Sequence, residues 1–89
     1  MKPEMIKAVS IIKASKNKVK IVNSLTNGLK IPSEISKDTD IRLNHVSNLL
    51  SELKEIGIVQ CLNEEDKKGR LYALTDKGNE VVKYCLLKD

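Results

Sequence analysis

Five polar side chains stand close together in the middle of the chain, and their types suit hydrogen bonding. They are Arg42, Asn44, His45, Ser47 and Asn48. Amide, imidazole and hydroxyl groups can pair with the donor and acceptor pattern that base edges present in the major groove of duplex DNA. An ordinary amphipathic surface helix would also carry such residues, so the flanking segments have to decide between the two interpretations.

The helix that carries these side chains is predicted over residues 42–56. Steps of three and four residues place most of its apolar side chains on one face, which indicates a buried stripe. The stripe consists of Val46, Leu49, Leu50, Leu53 and Ile56. Gly57 follows directly, as glycine often does after the last turn of a helix. The polar residues therefore begin the opposite, outward face.

A shorter helix is predicted over residues 32–38, just before the central one. Pro32 disfavours helix at the residue before it and suits the first helical position itself. Ile35 and Ile41 are expected to lock the two helices together. A short helix, a turn of a few residues and a longer helix with a polar front form a helix-turn-helix arrangement.

The remaining elements complete a fold that is mainly α-helical with a small β-hairpin. Further helices are predicted over 3–14, 16–26 and 75–87, and strands over 58–63 and 70–74. Met5, Ile6, Val9 and Ile12 are expected to share the apolar face of the first helix, with Ile11 adding breadth, although its β-branched residues leave a short strand possible. Gly78 lowers helix propensity, which suggests close packing against a neighbouring backbone. A helix-turn-helix followed directly by a hairpin is a winged-helix layout.

Length and charge limit the number of domains and the kinds of partner that the chain can have. The 89 residues are expected to form one domain, 1–89, with an aliphatic core, because the chain has no Phe or Trp. Residues 1–37 carry eight lysines against two glutamates, residues 38–66 two basic against seven acidic side chains, and residues 67–89 six against three. A net charge of +4 fits a nucleic-acid partner. The acidic middle predicts that phosphate contacts come mostly from the flanks.

Several other classes of function find little support in the sequence. The two cysteines, Cys61 and Cys85, and the single histidine form no metal-ligand spacing, so neither a metal nor another cofactor is expected. We expect both thiols to be reduced and structural in a cytoplasmic protein. No signal peptide or membrane-spanning run is recognised, and no small-molecule ligand is evident. No catalytic constellation can be proposed, so the chain is not predicted to be an enzyme.

Short motifs at characteristic spacing also carry a family resemblance. They are Ile35-Ser36-Lys37, the run from Asn44 to Leu50, Leu53, Gly57-Ile58-Val59, Cys61-Leu62-Asn63, the run from Lys67 to Tyr72, and Leu74-Thr75-Asp76-Lys77-Gly78. With these motifs the sequence resembles the archaeal winged helix-turn-helix transcriptional regulators, relatives of the arsenical-repressor and multiple-antibiotic-resistance regulators. The resemblance covers residues 15–83.

The resemblance implies sequence-specific binding of double-stranded DNA. Helix 42–56 would be the recognition helix in the major groove, and a basic wing over 64–70 would lie on the backbone or minor groove. The implied DNA-binding residues are Ser33, Lys37, Arg42, Asn44, His45, Ser47, Asn48, Lys67, Lys68 and Arg70. Asn44, His45 and Asn48 are expected at base edges. The position of Asn48 is often basic in such regulators, which argues for modest affinity per subunit.

Two alternatives stay open. Modest affinity per subunit favours a homodimer, formed through the N-terminal extension helix 1–14 or through the C-terminal helix that ends at Leu86-Leu87. Both helices could instead pack onto their own domain. The alternative function is a winged-helix module that binds protein or RNA within a larger assembly, because the predicted recognition helix presents little positive charge.

Overall fold

A computed structural model describes residues 3–66 and 69–83, without the side chains of Glu4 and Met5. Over these residues the chain forms five helices and a two-stranded antiparallel hairpin. Their order is α1 (Pro3–Lys13), α2 (Lys16–Leu25), α3 (Pro32–Thr39), α4 (Leu43–Glu55), β1 (Val59–Cys61), β2 (Tyr72–Leu74) and α5 (Asp76–Val81). None of the described helices has the length and apolar character needed to cross a membrane.

The predicted element order and the winged helix-turn-helix fold are confirmed. Ser15 caps α2 by accepting a hydrogen bond from the backbone N–H of Lys18 at 3.3 Å. Thr75 caps α5 in the same way, accepting from the N–H of Gly78 at 3.0 Å. The helix predicted over 75–87 is observed from Asp76 to Val81, and its predicted end, with Cys85, lies outside the described residues.

The predicted strands, 58–63 and 70–74, are too long. Each observed strand has three residues, and their register pairs Val59 with Leu74 and Cys61 with Tyr72. Ile58 is not part of β1, because its backbone N–H donates to the carbonyl oxygen of Leu53 at the end of α4. Tyr72 also forms an isolated antiparallel bridge with Lys30, so the segment between α2 and α3 lies beside the hairpin.

A single aliphatic core lies behind α3 and α4. Ile35 and Leu50 are fully buried and Ile41 is 7% exposed, which confirms that α3 and α4 are locked together by apolar contacts. The predicted stripe of α4 is buried from Val46 to Leu53, and Ile56 packs against the same core at its edge. Burial of these side chains fixes which face of α4 remains open to solvent.

The prediction for the inner face of α1 is wrong at one position. Ala8 and Ile12 are buried and Val9 is half-buried, whereas Ile6 is 54% exposed. Ala8 and Ile12 are one helical turn apart, so they mark the face of α1 that packs into the core. The outer face of α1 therefore carries an exposed isoleucine.

The base of the hairpin is held against α5 at Gly78. A Cβ atom at this position would lie 2.2 Å from the carbonyl oxygen of Ile58, so only glycine fits. Thr75 strengthens the same junction, because its hydroxyl donates to the carbonyl oxygen of Gly57 at 2.5 Å. The predicted close backbone packing at Gly78 is confirmed.

Candidate nucleic-acid interface

One open cleft, here called the front cleft, joins the start of α3, the outward face of α4 and the wing, defined as residues 62–71 between β1 and β2. Its volume is about 400 Å³. The cleft is lined by Ile31, Pro32, Ser33, Leu43, Ser47, Ser51, Gly69, Arg70 and Tyr72. Three of the predicted DNA-binding residues, Ser33, Ser47 and Arg70, therefore meet at one place although 37 positions separate the first from the last.

The start of α3 is shaped by Pro32 and Glu34. Pro32 opens the helix, and the carboxylate of Glu34 accepts the backbone N–H of Ile31 at 3.1 Å. This bond satisfies one of the donors that a helix start leaves unpaired. Ser33 is exposed between these two residues and faces the cleft.

The turn between α3 and α4 is fixed by two local devices. Asp40 adopts a left-handed backbone with φ of 58° at the end of α3, a conformation that Asp tolerates better than most residues. The hydroxyl of Ser36 donates to the carbonyl oxygen of Ile41 at 2.5 Å. These contacts set the direction in which α4 begins.

The outward face of α4 has a centre and a flank that borders the front cleft. Asn44 and Asn48 are exposed and one turn apart, so they share the centre of the face. Ser47 and Ser51, again one turn apart, form the flank that lines the front cleft. His45 and Arg42 are exposed but do not line the cleft. None of the three residues predicted at base edges, Asn44, His45 and Asn48, lines the front cleft.

A half-buried amide, Asn63, organises the described part of the wing. Its Oδ1 accepts the backbone N–H of Leu71 at 2.7 Å, across the hairpin. Its Nδ2 donates to the carboxylate of Asp66 at 3.0 Å and to the carbonyl oxygen of Gly69 at 3.2 Å. One side chain therefore ties both arms of the wing together, and it replaces the regular strand pairing where β1 and β2 end.

Arg70 is oriented by the same loop. Its Nε donates to the backbone carbonyl oxygen of Asp66 at 2.7 Å. A guanidinium carries five N–H donors, so the bond from Nε leaves the terminal nitrogens for other partners. Because Asn63 holds Asp66 and Gly69, it also fixes the position from which Arg70 reaches the cleft.

Ion pairs with lysines involve three acidic side chains of residues 38–66. Lys30 pairs with Asp38, Lys54 pairs with Glu64, and Lys18 pairs with Glu52 at 3.4 Å. Lys18 and Lys30 come from the lysine-rich segment 1–37, so folding brings the basic and acidic segments together. Asp38 and Glu52 are thus partly neutralised, and Glu64 pairs with Lys54 of α4.

Two of these pairs shift carboxyl pKa values. The hydrogen bond from Lys30, supported by one from Ser24, lowers the pKa of Asp38 below its ordinary value. The hydrogen bond from Lys54 and its positive charge lower the pKa of Glu64 and, reciprocally, raise that of Lys54. All three groups are ionised at neutral pH, so Lys54 is held on the wing side of α4.

All eight described residues of the predicted DNA-binding set are exposed, and Lys67 and Lys68 lie outside the described residues. Sequence reasoning missed Asn63, Leu43 and Ser51. Ser51 could have been found one turn after Ser47, and Leu43 is the apolar residue of its helix that falls off the buried stripe. Asn63 stood in the motif Cys61-Leu62-Asn63 without an assigned role, because its role depends on what the returning strand places opposite it.

The described residues contain no cluster of three or more His, Cys, Asp and Glu side chains that could hold a metal ion. Cys61 is a half-buried free thiol whose Sγ donates to Oδ1 of Asn63 at 3.7 Å. The thiol thus belongs to the packing of the wing, as its predicted structural role requires.

Comparison with protein families adds an independent finding. The sequence matches the family model described as winged helix-turn-helix over residues 4–86. The chain belongs to the winged helix-turn-helix family. A search of curated proteins gives no match.

Solved winged helix-turn-helix structures share this fold. A MarR mutant from E. coli, complexed with operator DNA, matches with a TM-score of 0.73 and 25% identity over 92% of this chain and 60% of that one. The homodimeric winged helix-turn-helix DNA-binding domain of Mb0332 from Mycobacterium bovis, a possible ArsR-family regulator, matches with a TM-score of 0.70 and 22% identity, covering 89% and 69%.

A ZitR mutant from Lactococcus lactis matches with a TM-score of 0.69 and 21% identity over 78% of this chain. The match spans only 48% of the ZitR chain. The predicted resemblance to regulators of the arsenical-repressor and multiple-antibiotic-resistance group is confirmed by these neighbours, while an archaeal origin stays a prediction.

Proposed function

We propose that this chain is a sequence-specific double-stranded DNA-binding transcriptional regulator. In this proposal α4 lies in the major groove. The wing, with its basic residues Lys67, Lys68 and Arg70, lies on the backbone or minor groove. The observation that carries the proposal is the front cleft, where Ser33, Ser47 and Arg70 from three separate elements open onto one face. The family membership and the operator complex of the MarR neighbour support the same partner.

Each residue has a distinct role in this proposal. Asn44 and Asn48 share the centre of the outward face of α4 and read base edges, with His45 and Arg42 beside them. Ser33 and Lys37 of α3 contact phosphates, as does Arg70 of the wing. Cations near α4 are mostly committed to acids, as Lys18 and Lys54 are, so the affinity for phosphate depends on α3 and the wing.

The proposal includes a homodimer, because a single small domain offers few phosphate contacts. The Mb0332 neighbour is named as a homodimeric DNA-binding domain. Residues 1–14 are the proposed dimer helix, and Ile6, 54% exposed, lies on its outer face. Dimerisation through Leu86-Leu87 is the alternative, on residues outside the described ranges. Sedimentation of the wild-type chain and of Ile6→Lys distinguishes the two surfaces.

Two pairs of substitutions test the reading and positioning roles. Asn44→Ala with Asn48→Ala should relax sequence preference by about 1–3 kcal/mol between specific and random duplexes. Lys37→Ala with Arg70→Ala should weaken binding to all duplexes alike and reduce the salt slope by about one per lost contact. Affinities measured on duplexes selected from a random pool, over a salt series, provide both quantities. Equal effects of both pairs on specific and random DNA would contradict the assignment.

A protein- or RNA-binding module is the second candidate, and one observation favours it. The outward face of α4 carries Glu55, and the lysine of that helix is paired with Glu64. If the wild-type chain fails to bind duplex DNA even at low salt, this second function replaces the first. Regulation in the cytoplasm, without enzymatic activity, remains part of the primary proposal.

A further inference from the structure

Leu43 is an apolar side chain at the place where the proposed reading residues are polar. It begins α4, is 47% exposed and lines the front cleft. At about 100° per residue, Leu43 lies at the edge of the buried stripe, about 20° beyond Leu50, and one turn before Ser47 on the same flank. The core therefore leaves much of this leucine uncovered, in a helix whose other apolar side chains are largely packed away.

The surroundings of Leu43 restrict what can cover it. The cleft places the hydroxyls of Ser33, Ser47 and Ser51 and the guanidinium of Arg70 near it, together with the side chains of Ile31, Pro32 and Tyr72. The positive charge of Arg70 favours a polyanion, and the apolar part of the lining favours a partner that also carries an apolar group. The occupant must then offer an apolar group on an otherwise polar and anionic surface.

We propose that Leu43 reads the C5-methyl group of a thymine. Among the base edges of the major groove, the thymine methyl is the apolar group, and aliphatic side chains discriminate by contacting it. The first turn of a recognition helix is also the part that approaches base edges most closely. Leu43 then specifies a T·A pair, while Ser47 and Ser51 bond to groups beside it. This inference rests on the proposed function.

Removal of single methyl groups from the DNA tests this role. A duplex selected by the wild-type chain is resynthesised with deoxyuridine in place of one thymine at a time, which deletes the C5-methyl and preserves the pairing pattern. For the wild-type chain, one position per half-site should lose about fourfold in affinity, the value of burying one methylene-sized group. In Leu43→Ala the thymine-to-uracil ratio at that position should fall to about one, with other positions unchanged.

Leu29→Ala is the matched control. Leu29 is 51% exposed, close to the 47% of Leu43, and it does not line the front cleft. This variant should keep the full thymine-to-uracil ratio. Because Leu43 is exposed and alanine is a good helix former, Leu43→Ala is expected to fold, which circular dichroism and Tm verify.

The outcomes separate this inference from the proposed function. If the wild-type chain binds the selected duplex but no thymine shows sensitivity to uracil, or if Leu43→Ala retains that sensitivity, Leu43 does not read a methyl group and DNA binding still stands. If the wild-type chain binds no duplex at all, both the proposed function and the role of Leu43 are overturned.

Discussion

The α3–α4 pair and the wing open onto the same cleft, but different forces hold them there. Behind α3 and α4, Ile35 and Leu50 are fully buried in the aliphatic core. The described wing is held by the amide of half-buried Asn63 and by the pair between Lys54 and Glu64. We therefore expect the stability of the helix pair to follow global unfolding, and the described part of the wing to open at a lower free-energy cost. We also expect mutation, salt and pH to affect the proposed base-reading face of α4 and the proposed phosphate-binding wing differently.

The largest effect is expected from Ile35→Ala, which removes a fully buried side chain between α3 and α4. The free energy of unfolding should fall by about 2–5 kcal/mol because a cavity replaces close packing. Ile35→Val, the matched control, should lose about 0.5–1.5 kcal/mol. Denaturant titration followed by circular dichroism measures both. Loss confined to the helix pair, with the hairpin still folded, would contradict a shared core.

Gly78→Ala should have the next largest effect, at the base of the wing. The new Cβ would lie 2.2 Å from the carbonyl oxygen of Ile58, which as backbone cannot rotate away. Overpacking of this kind lowers stability by about 1–3 kcal/mol, more than the gain in helix propensity. Asn79→Ala, exposed in the same helix, is the control and should be nearly neutral. A Gly78→Ala variant of wild-type stability would show that the hairpin base is loose.

Asn63→Ala should loosen the wing while the helix pair stays intact. The N–H of Leu71 loses its 2.7 Å acceptor, and stability should fall by about 1–2 kcal/mol. Hydrogen exchange should accelerate at Leu71 and hardly change at Leu50. DNA affinity should fall for all sequences alike, because Arg70 loses its fixed position.

A double-mutant cycle gives Asn63 a sharper test. If Asn63 acts on DNA through Arg70, Asn63→Ala should weaken binding in the wild-type background and have little further effect in Arg70→Ala. The exposed residue Asn27 provides a control substitution, Asn27→Ala. Fully additive losses would show that Asn63 and Arg70 contribute independently.

The smallest effect is expected from Glu64→Gln, which breaks the tie between the wing and α4. Since Lys54 lowers the pKa of Glu64 in the folded state, the pair stabilises the fold above the ordinary value of 4.5, and this contribution disappears as pH falls through the lowered pKa. The Tm difference between wild type and Glu64→Gln should be small at pH 7 and should shrink with added salt. It should vanish once the pH is low enough to protonate Glu64. Glu65→Gln, at a neighbouring exposed acid, is the control for the loss of one negative charge at pH 7. A difference for Glu64→Gln that grows as pH falls would refute the assignment.

The sequence by itself determined the order of elements and the open face of α4. Apolar spacing of three and four residues located the stripe from Val46 to Leu53, and Pro32 and Gly57 marked where helices begin and end. These signals are local, since they depend on backbone preferences and on periodicity within one element. For the same reason the sequence predicted an exposed set that includes Asn44 and Asn48.

Only the tertiary structure decided which of these residues meet and what holds them. Arg70 lines the same cleft as Ser33 and Ser47 although they lie on different elements, and Asn63 acquires its partners from the returning arm. Along the sequence, an acidic middle segment lies between segments rich in basic residues. Folding pairs Lys18 with Glu52 and Lys30 with Asp38. The two ion pairs join residues that are 34 and 8 positions apart in the sequence. Conformational preferences of the local backbone do not encode such pairs.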